Sequence, residues 1–81
     1  MQVELTVTNL VAKTAERDVE VVRSGRPLQE LGIDMLSLVD LVRKLETYFG
    51  LAISCKDALK WVGVADVVDF VEERIGYQAA S

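Results

Sequence analysis

An all-α four-helix bundle with a long first loop and a short third helix is the fold this sequence predicts, and three observations carry the prediction. Leu38, Leu41, Val42, Leu45, Tyr48 and Phe49 recur at i, i+3, i+4, i+7, i+10 and i+11, the apolar stripe of a core-facing helix. A second stripe, Val64, Val67, Val68, Val71 and Ile75, is opposed by Asp66, Asp69, Glu72 and Glu73. The chain has 81 residues, of which 51% are hydrophobic, and a single cysteine, Cys55, so it forms one domain without an internal disulfide. For so small a core, helix-on-helix packing is the economical solution.

The first element is the most ambiguous. Met1, Val3, Leu5 and Val7 alternate as in a strand, whereas Val7, Leu10, Val11 and Thr14 fall at helical spacing. The reading favoured is a helix from Val3 to Ala15, one that depends on packing because its β-branched residues lower its intrinsic propensity. Glu16 to Gly32 has charges, two glycines and the only proline, Pro27, with no sustained period, and reads as a long connection. Its apolar residues Val19, Val21, Val22, Leu28 and Leu31 would pack it across the bundle, with a short turn of helix at Pro27 to Leu31. Asp34 is placed to cap the long second helix and Gly50 to stop it. Ser54 with Asp57 three residues on makes a short-armed capping box that opens a third helix ending near Trp61. Gly63 resets the chain before the last helix, which Gly76 closes. The domain is thus residues 1–76, with a frayed tail over 77–81.

Composition also bounds function. No histidine and one cysteine exclude a Cys-His dyad, a Ser-His-Asp triad and any multi-thiolate or histidine-bearing metal site, so an enzyme is the disfavoured class. A pI near 4.6 and a net charge of −4 argue against nucleic acid. No apolar run is long enough to span a bilayer and no signal-peptide pattern opens the chain, so a cytoplasmic monomer without membrane contact is expected.

The chemistry-bearing segment is Leu28-Gln29-Glu30-Leu31-Gly32-Ile33-Asp34-Met35-Leu36. Locally it is a loop-to-helix junction, in which a glycine turns the chain and an aspartate caps the helix beyond it. The order Leu-x-x-Leu-Gly-x-Asp-x-Leu-x-x-Val-Asp-Leu, entering an amphipathic helix that ends in Glu-x-x-Phe-Gly, resembles the acyl and peptidyl carrier proteins of fatty acid, polyketide and nonribosomal peptide synthesis. The resemblance runs from Leu28 through Ala58 and from Lys60 to Val71, and the first helix is consistent with it. It implies a bundle of the acyl-carrier-protein type that shuttles thioester intermediates. It also implies a serine between Asp34 and Leu36 bearing 4′-phosphopantetheine.

That position is Met35. A thioether has no hydroxyl with which to attack coenzyme A, so the resemblance implies 4′-phosphopantetheine only if position 35 were serine, and no cofactor for the sequence as written. Ser37 lies two positions on, and at about 100° per residue its side chain is turned by roughly 200°, towards the flank shared with Lys44. It is expected to be an ordinary solvated serine. Three readings of Met35 stay open: a natural member that acts by contact alone, a variant made unloadable, or a substitution tolerated for packing. In the packing reading the flexible thioether folds over the space between the second and third helices and plugs it.

The face opposite the core stripe carries Leu36, Asp40, Arg43 and Thr47, with Glu46 on its border. A charged outer face is ordinarily solvated. The resemblance makes this helix the docking surface for partner enzymes, with Asp34, Leu36, Asp40 and Glu46 matching its pattern. Those partners would be of the pantetheinyl transferase, synthase, acyltransferase or thioesterase types. Arg43 and Lys44 break the acidic stripe and incline the reading towards a polyketide or peptide pathway. The alternative function is a non-covalent scaffold or regulatory module using the same helix. Trp61 either covers the core edge or lines a cavity between helices, and Cys55 is expected to be a small buried or semi-buried thiol.

Overall fold

Five helices succeed one another along the chain: α1 (Val3–Ala15), α2 (Val19–Val22), α3 (Met35–Phe49), α4 (Cys55–Ala58) and α5 (Val64–Ala80). They belong to a computed structural model that describes residues 3–80, with side chains described up to position 76. Among the described residues there is no strand, only an isolated bridge between Pro27 and Gly63. The all-α bundle, the long first connection and the short helix after the long one are as the sequence predicts. α2 is an addition, and Met1 and Ser81, which entered the expectations for the two ends, lie outside the described residues.

α1 settles the ambiguity of its sequence by burial. Val3, Val7, Thr8, Val11 and Ala12 are buried at spacings of three to five residues, which is one helical face and not one side of a strand. Two of its threonines return their hydroxyls to the helix, Thr8 Oγ1 donating to the Glu4 carbonyl at 2.7 Å and Thr14 Oγ1 to that of Leu10 at 2.8 Å. This satisfies the polar groups that would otherwise make β-branched threonine costly here. The helix ends in a two-bond cap, with Arg17 N–H donating to the Ala12 carbonyl at 3.0 Å and Glu16 N–H to that of Lys13 at 3.4 Å. Glu16 takes the left-handed conformation this cap requires, at φ 56°.

α2 is one turn long, too short for a period to show in the sequence. Val22 and Arg23 close it by donating to the Asp18 and Val19 carbonyls at 3.2 and 2.9 Å, and Val22 is buried against the main cluster. The rest of the connection is core. Leu28, Leu31 and Ile33 are all buried, and Leu28 N–H donates to the Val62 carbonyl at 2.8 Å, tying the loop to the entrance of α5. The expected turn of helix at Pro27 to Leu31 is present, with the Pro27 carbonyl accepting from Glu30 and Leu31. Gly32, at φ 93°, reverses the chain out of it and aims Asp34 at the start of α3.

α3 buries Leu41, Val42 and Leu45 and half-buries Leu38 and Phe49. Tyr48 departs from the predicted stripe. It is 62% exposed, because at the last turn the helix runs past its neighbours and Tyr48 is left to lean edge-on against Phe49 at 5.1 Å. Gly50 ends the helix in the left-handed conformation at φ 68°. Ser54 caps α4 as expected, its Oγ accepting from Asp57 N–H at 3.1 Å. α5 buries Val67, Val68 and Val71. Asp66 reaches back at its start to accept from the Val62 and Gly63 N–H groups at 2.8 and 3.0 Å. Gly76 does not close α5, whose backbone stays helical through Ala80, since a glycine inside a helix weakens it without being obliged to end it. α1 packs on both α3 and α5, α2 on α1, and α4 on α3. Arg74 fastens α4 to α5, pairing with Asp57 at 3.3 Å and lying over the Phe70 ring at 4.6 Å.

The two left-handed residues give opposite expectations. Glu16→Gly relieves a non-glycine residue of that conformation and should raise the midpoint of thermal unfolding. Gly50→Ala imposes the conformation on a residue with a Cβ, in open space, and should cost about 1 kcal/mol from backbone strain alone. Calorimetry of both variants checks the pair, and a change of the same sign in each would contradict the backbone account.

Candidate functional site at the entrance of the long helix

Gly32 and the buried Ile33 fix where the backbone enters α3, and the next three residues face outwards together. Asp34 is the N-cap in extended conformation, its Oδ1 accepting from Ser37 N–H at 2.8 Å. Met35 comes next at 60% exposure and Leu36 after it at 82%. The Ser37 backbone N–H, and after it the Ser37 hydroxyl, hold the Asp34 carboxyl below its ordinary value of 3.8. Asp66 is lowered from the same value by the Gly63 and Val62 N–H groups.

Both aspartates are more acidic folded than unfolded. Their contribution to stability is therefore complete above the ordinary carboxylate value and is lost as pH falls through the lowered folded values. An Asp34→Asn/Asp66→Asn variant should show a shallower acid limb in a plot of stability against pH. An unchanged limb in the variant would contradict this source for the acid sensitivity.

The entrance borders a cleft. About 730 Å³ opens between the loop, the first turn of α3 and the α4–α5 connection, with Leu28, Ile33, Met35, Leu38, Leu59 and Trp61 among its walls. Beside it, a cavity of about 40 Å³ lies between α3 and α4, lined by Met35, Leu38, Val39, Val42, Ala58 and Leu59 with the Cys55 thiol. Met35 touches both. It does not plug the space between α3 and α4, as the packing reading expected: it stands on the lip with most of its surface in solvent. Trp61 is half-buried edge-on against Phe70 at 5.4 Å, at the edge of the core, and also forms part of the wall of this surface cleft.

The structure groups Asp34, Met35 and Leu36 and separates the others. Asp40 is exposed on the outer face, paired with Lys44 at 3.0 Å, and Arg43 is exposed one turn further on. Glu46 is half-buried and structural in its contacts, since its Oε2 accepts from Ile53 N–H at 2.9 Å and holds the turn after α3. Two expectations need correction. Ser37 is half-buried, not freely solvated, and its backbone N–H donates to the Asp34 carboxyl as the third helical residue of the cap. Cys55 is exposed, because α4 is a single turn whose inward residue is Ala58.

Leu59 and Val62, at 59% and 65% exposure, face the entrance and were not found by sequence reasoning. Periodicity cannot reveal them, since they lie in a connection. The available signal was two large apolar residues next to a glycine in a segment too short to bury them.

The described residues thus form a small α-helical bundle with an aspartate-capped helix entrance and two exposed apolar residues, Met35 and Leu36, just inside it. The profile of the phosphopantetheine attachment site family matches residues 6–71. An acyl carrier protein of Thermotoga maritima is 35% identical over 57 residues, covering 70% of this chain and 70% of its own. One of Rickettsia bellii is 31% identical over 72 residues, covering 88% of this chain and 84% of its own. The chain belongs to the phosphopantetheine attachment site family, which it shares with these acyl carrier proteins. Among the described residues no helix is long and apolar enough to cross a membrane.

Proposed function

We propose that this chain is an acyl or peptidyl carrier homologue in which Met35 occupies the position of the phosphopantetheine-bearing serine, so that it cannot be loaded as written. The observation that carries the reading is the exposed Met35 at the first position of α3, directly after the Asp34 cap and before the 82% exposed Leu36. A prosthetic group held through a phosphodiester needs a hydroxyl at its anchor. The thioether offers none, so the residues at this position do not fit the group. The nearest hydroxyl along the chain, Ser37, is half-buried, and its residue serves the cap through its backbone N–H.

What remains is contact. Leu36, Asp40 and Arg43 form the outer face of α3 on which a partner of the pantetheinyl transferase, synthase, acyltransferase or thioesterase type would dock. Asp34 fixes the angle at which that face begins. Asp40 is partly neutralised by Lys44, and with Arg43 beside it the face is of mixed charge, which favours a polyketide or peptide pathway over an acidic fatty acid carrier surface. The protein is not itself an enzyme, and it works as a cytoplasmic monomer. A second reading, a scaffold or regulator that never carries a group, is favoured by one observation. Met35, Leu59 and Val62 are large apolar residues exposed around one cleft, with the exposed Leu36 beside Met35 in the chain.

The chain as it stands should gain no mass when incubated with a broad-specificity pantetheinyl transferase and coenzyme A, read by intact-protein mass spectrometry. A phosphopantetheinyl adduct mapped to Ser37 would overturn the assignment of Met35 as a block.

A further inference from the structure

At the opposite end of α3 from Met35 the surface changes sign. A groove of about 320 Å³ runs between α1 and α3, lined by Leu10, Lys13, Arg43, Lys44, Thr47 and Tyr48. Three cations meet there with no carboxylate in the lining, on a chain whose net charge is −4. Their situations differ. Lys44 is half-buried and already committed, paired with Asp40 at 3.0 Å and donating to Thr14 Oγ1 at 3.1 Å. Lys13 and Arg43 are exposed and form no ion pair among the described residues. Tyr48, in the same lining, is 62% exposed and meets Phe49 edge-on.

We propose that this groove binds an acidic segment of a partner protein, one that presents carboxylates to Lys13 and Arg43 and an apolar side chain to Leu10 and Tyr48. Charge complementarity selects the occupant. A guanidinium and an ammonium flanking a small groove match carboxylates spaced along a peptide, and arginine can engage a carboxylate with two parallel hydrogen bonds. An exposed tyrosine in the wall of such a groove is the type of anchor that concentrates binding energy. A nucleic acid is disfavoured because it needs many phosphate contacts, and the rest of this acidic surface would repel its backbone.

Position gives the site its use. Met35 and Tyr48 are thirteen residues apart on one helix, about 20 Å at 1.5 Å per residue. A partner held in the groove would engage Arg43, which the outer docking face of α3 also uses, and would leave the Asp34–Leu36 entrance uncovered. The groove stands independently of what Met35 can or cannot carry.

The test uses the full chain and a fluorescein-labelled peptide, Glu-Leu-Glu-Glu-Leu-Glu, at low ionic strength. The peptide should bind saturably, with amide shift changes confined to the Leu10–Thr14 and Arg43–Phe49 segments, and binding should weaken as salt is raised. Lys13→Glu/Arg43→Glu should weaken it by about tenfold or more, and Tyr48→Ala should weaken it without altering the salt dependence. Lys56→Glu/Lys60→Glu, the same change of net charge elsewhere on the surface, should leave affinity within about twofold. Circular dichroism identifies any variant that fails to fold, and the singly substituted Arg43→Gln then replaces it. The proposal is overturned by absence of saturable binding, by shift changes centred elsewhere or by equal loss from both charge reversals. It is equally overturned if an RNA oligonucleotide binds more tightly with the same dependence on Lys13 and Arg43. Sedimentation showing self-association abolished by the Lys13/Arg43 reversal would assign the groove to a second copy instead.

Discussion

Met35→Ser, incubated with a broad-specificity pantetheinyl transferase and coenzyme A, should gain the mass of one phosphopantetheinyl group where the unaltered chain gains none. The local structure is ready for the change. Position 35 is 60% exposed at the first turn of α3, so shortening the side chain removes little buried surface and leaves Leu41, Val42 and Leu45 in place. The cap is made by Asp34 and Ser37, not by residue 35, so the helix entrance keeps its shape. A hydroxyl at the first helical position also sits at the positive end of the helix dipole, where an attached phosphate is favoured. Met35→Ser/Ser37→Ala should be modified equally well, which places the group on residue 35. Subsequent acceptance of acyl groups by the modified protein would support the carrier parentage. A Met35→Ser protein with a native circular dichroism spectrum that stays unmodified would count against it and favour the scaffold reading.

Leu31→Ala is expected to be the most damaging substitution outside the helices, at about 2–5 kcal/mol. Leu31 has no exposed surface although it lies in the longest connection of the chain, and it packs in the same buried cluster as Val7, Leu45 and Val71. Truncation removes most of its apolar volume and opens a cavity where the bundle closes on the loop. Its neighbours are fixed by the two-bond turn at Gly32 and the Leu28–Val62 hydrogen bond, so the site cannot simply collapse. A domain of this size has only several kcal/mol of total stability, so most of it would be lost. Equilibrium urea unfolding measures the change, and a loss below about 0.5 kcal/mol, the range of surface substitutions, would mean that the loop is not part of the core.

How much of the fold and site was legible in the sequence depended on periodicity and caps. α3 and the start of α5 are announced by apolar stripes several turns long, α1 also alternates as a strand would and is settled by burial, and Asp34, Gly50 and Ser54 mark boundaries by chemistry that acts locally. α2 left no mark because four residues make one turn, and a period needs at least two. Gly76 misled because its effect on a helix is a cost, which a continuing helix can bear. At the site, Asp34, Met35 and Leu36 were legible as consecutive residues at a capped entrance. The opposing Leu59 and Val62 were not, since contact across a cleft is set by how α4 packs on α3.

The sequence by itself determined the helical class, the register of the long helices, the capped entrance to α3 and the identity of the residue displayed there. All four are set by side-chain spacing and by interactions within a few residues of one another. Only the tertiary structure decided that Glu46 holds the turn at Ile53 and that Tyr48 lies open. It alone brought Lys13 beside Arg43. Those outcomes depend on which neighbour fills each space and on which polar group is left needing a partner, and neither is written in the order of the residues.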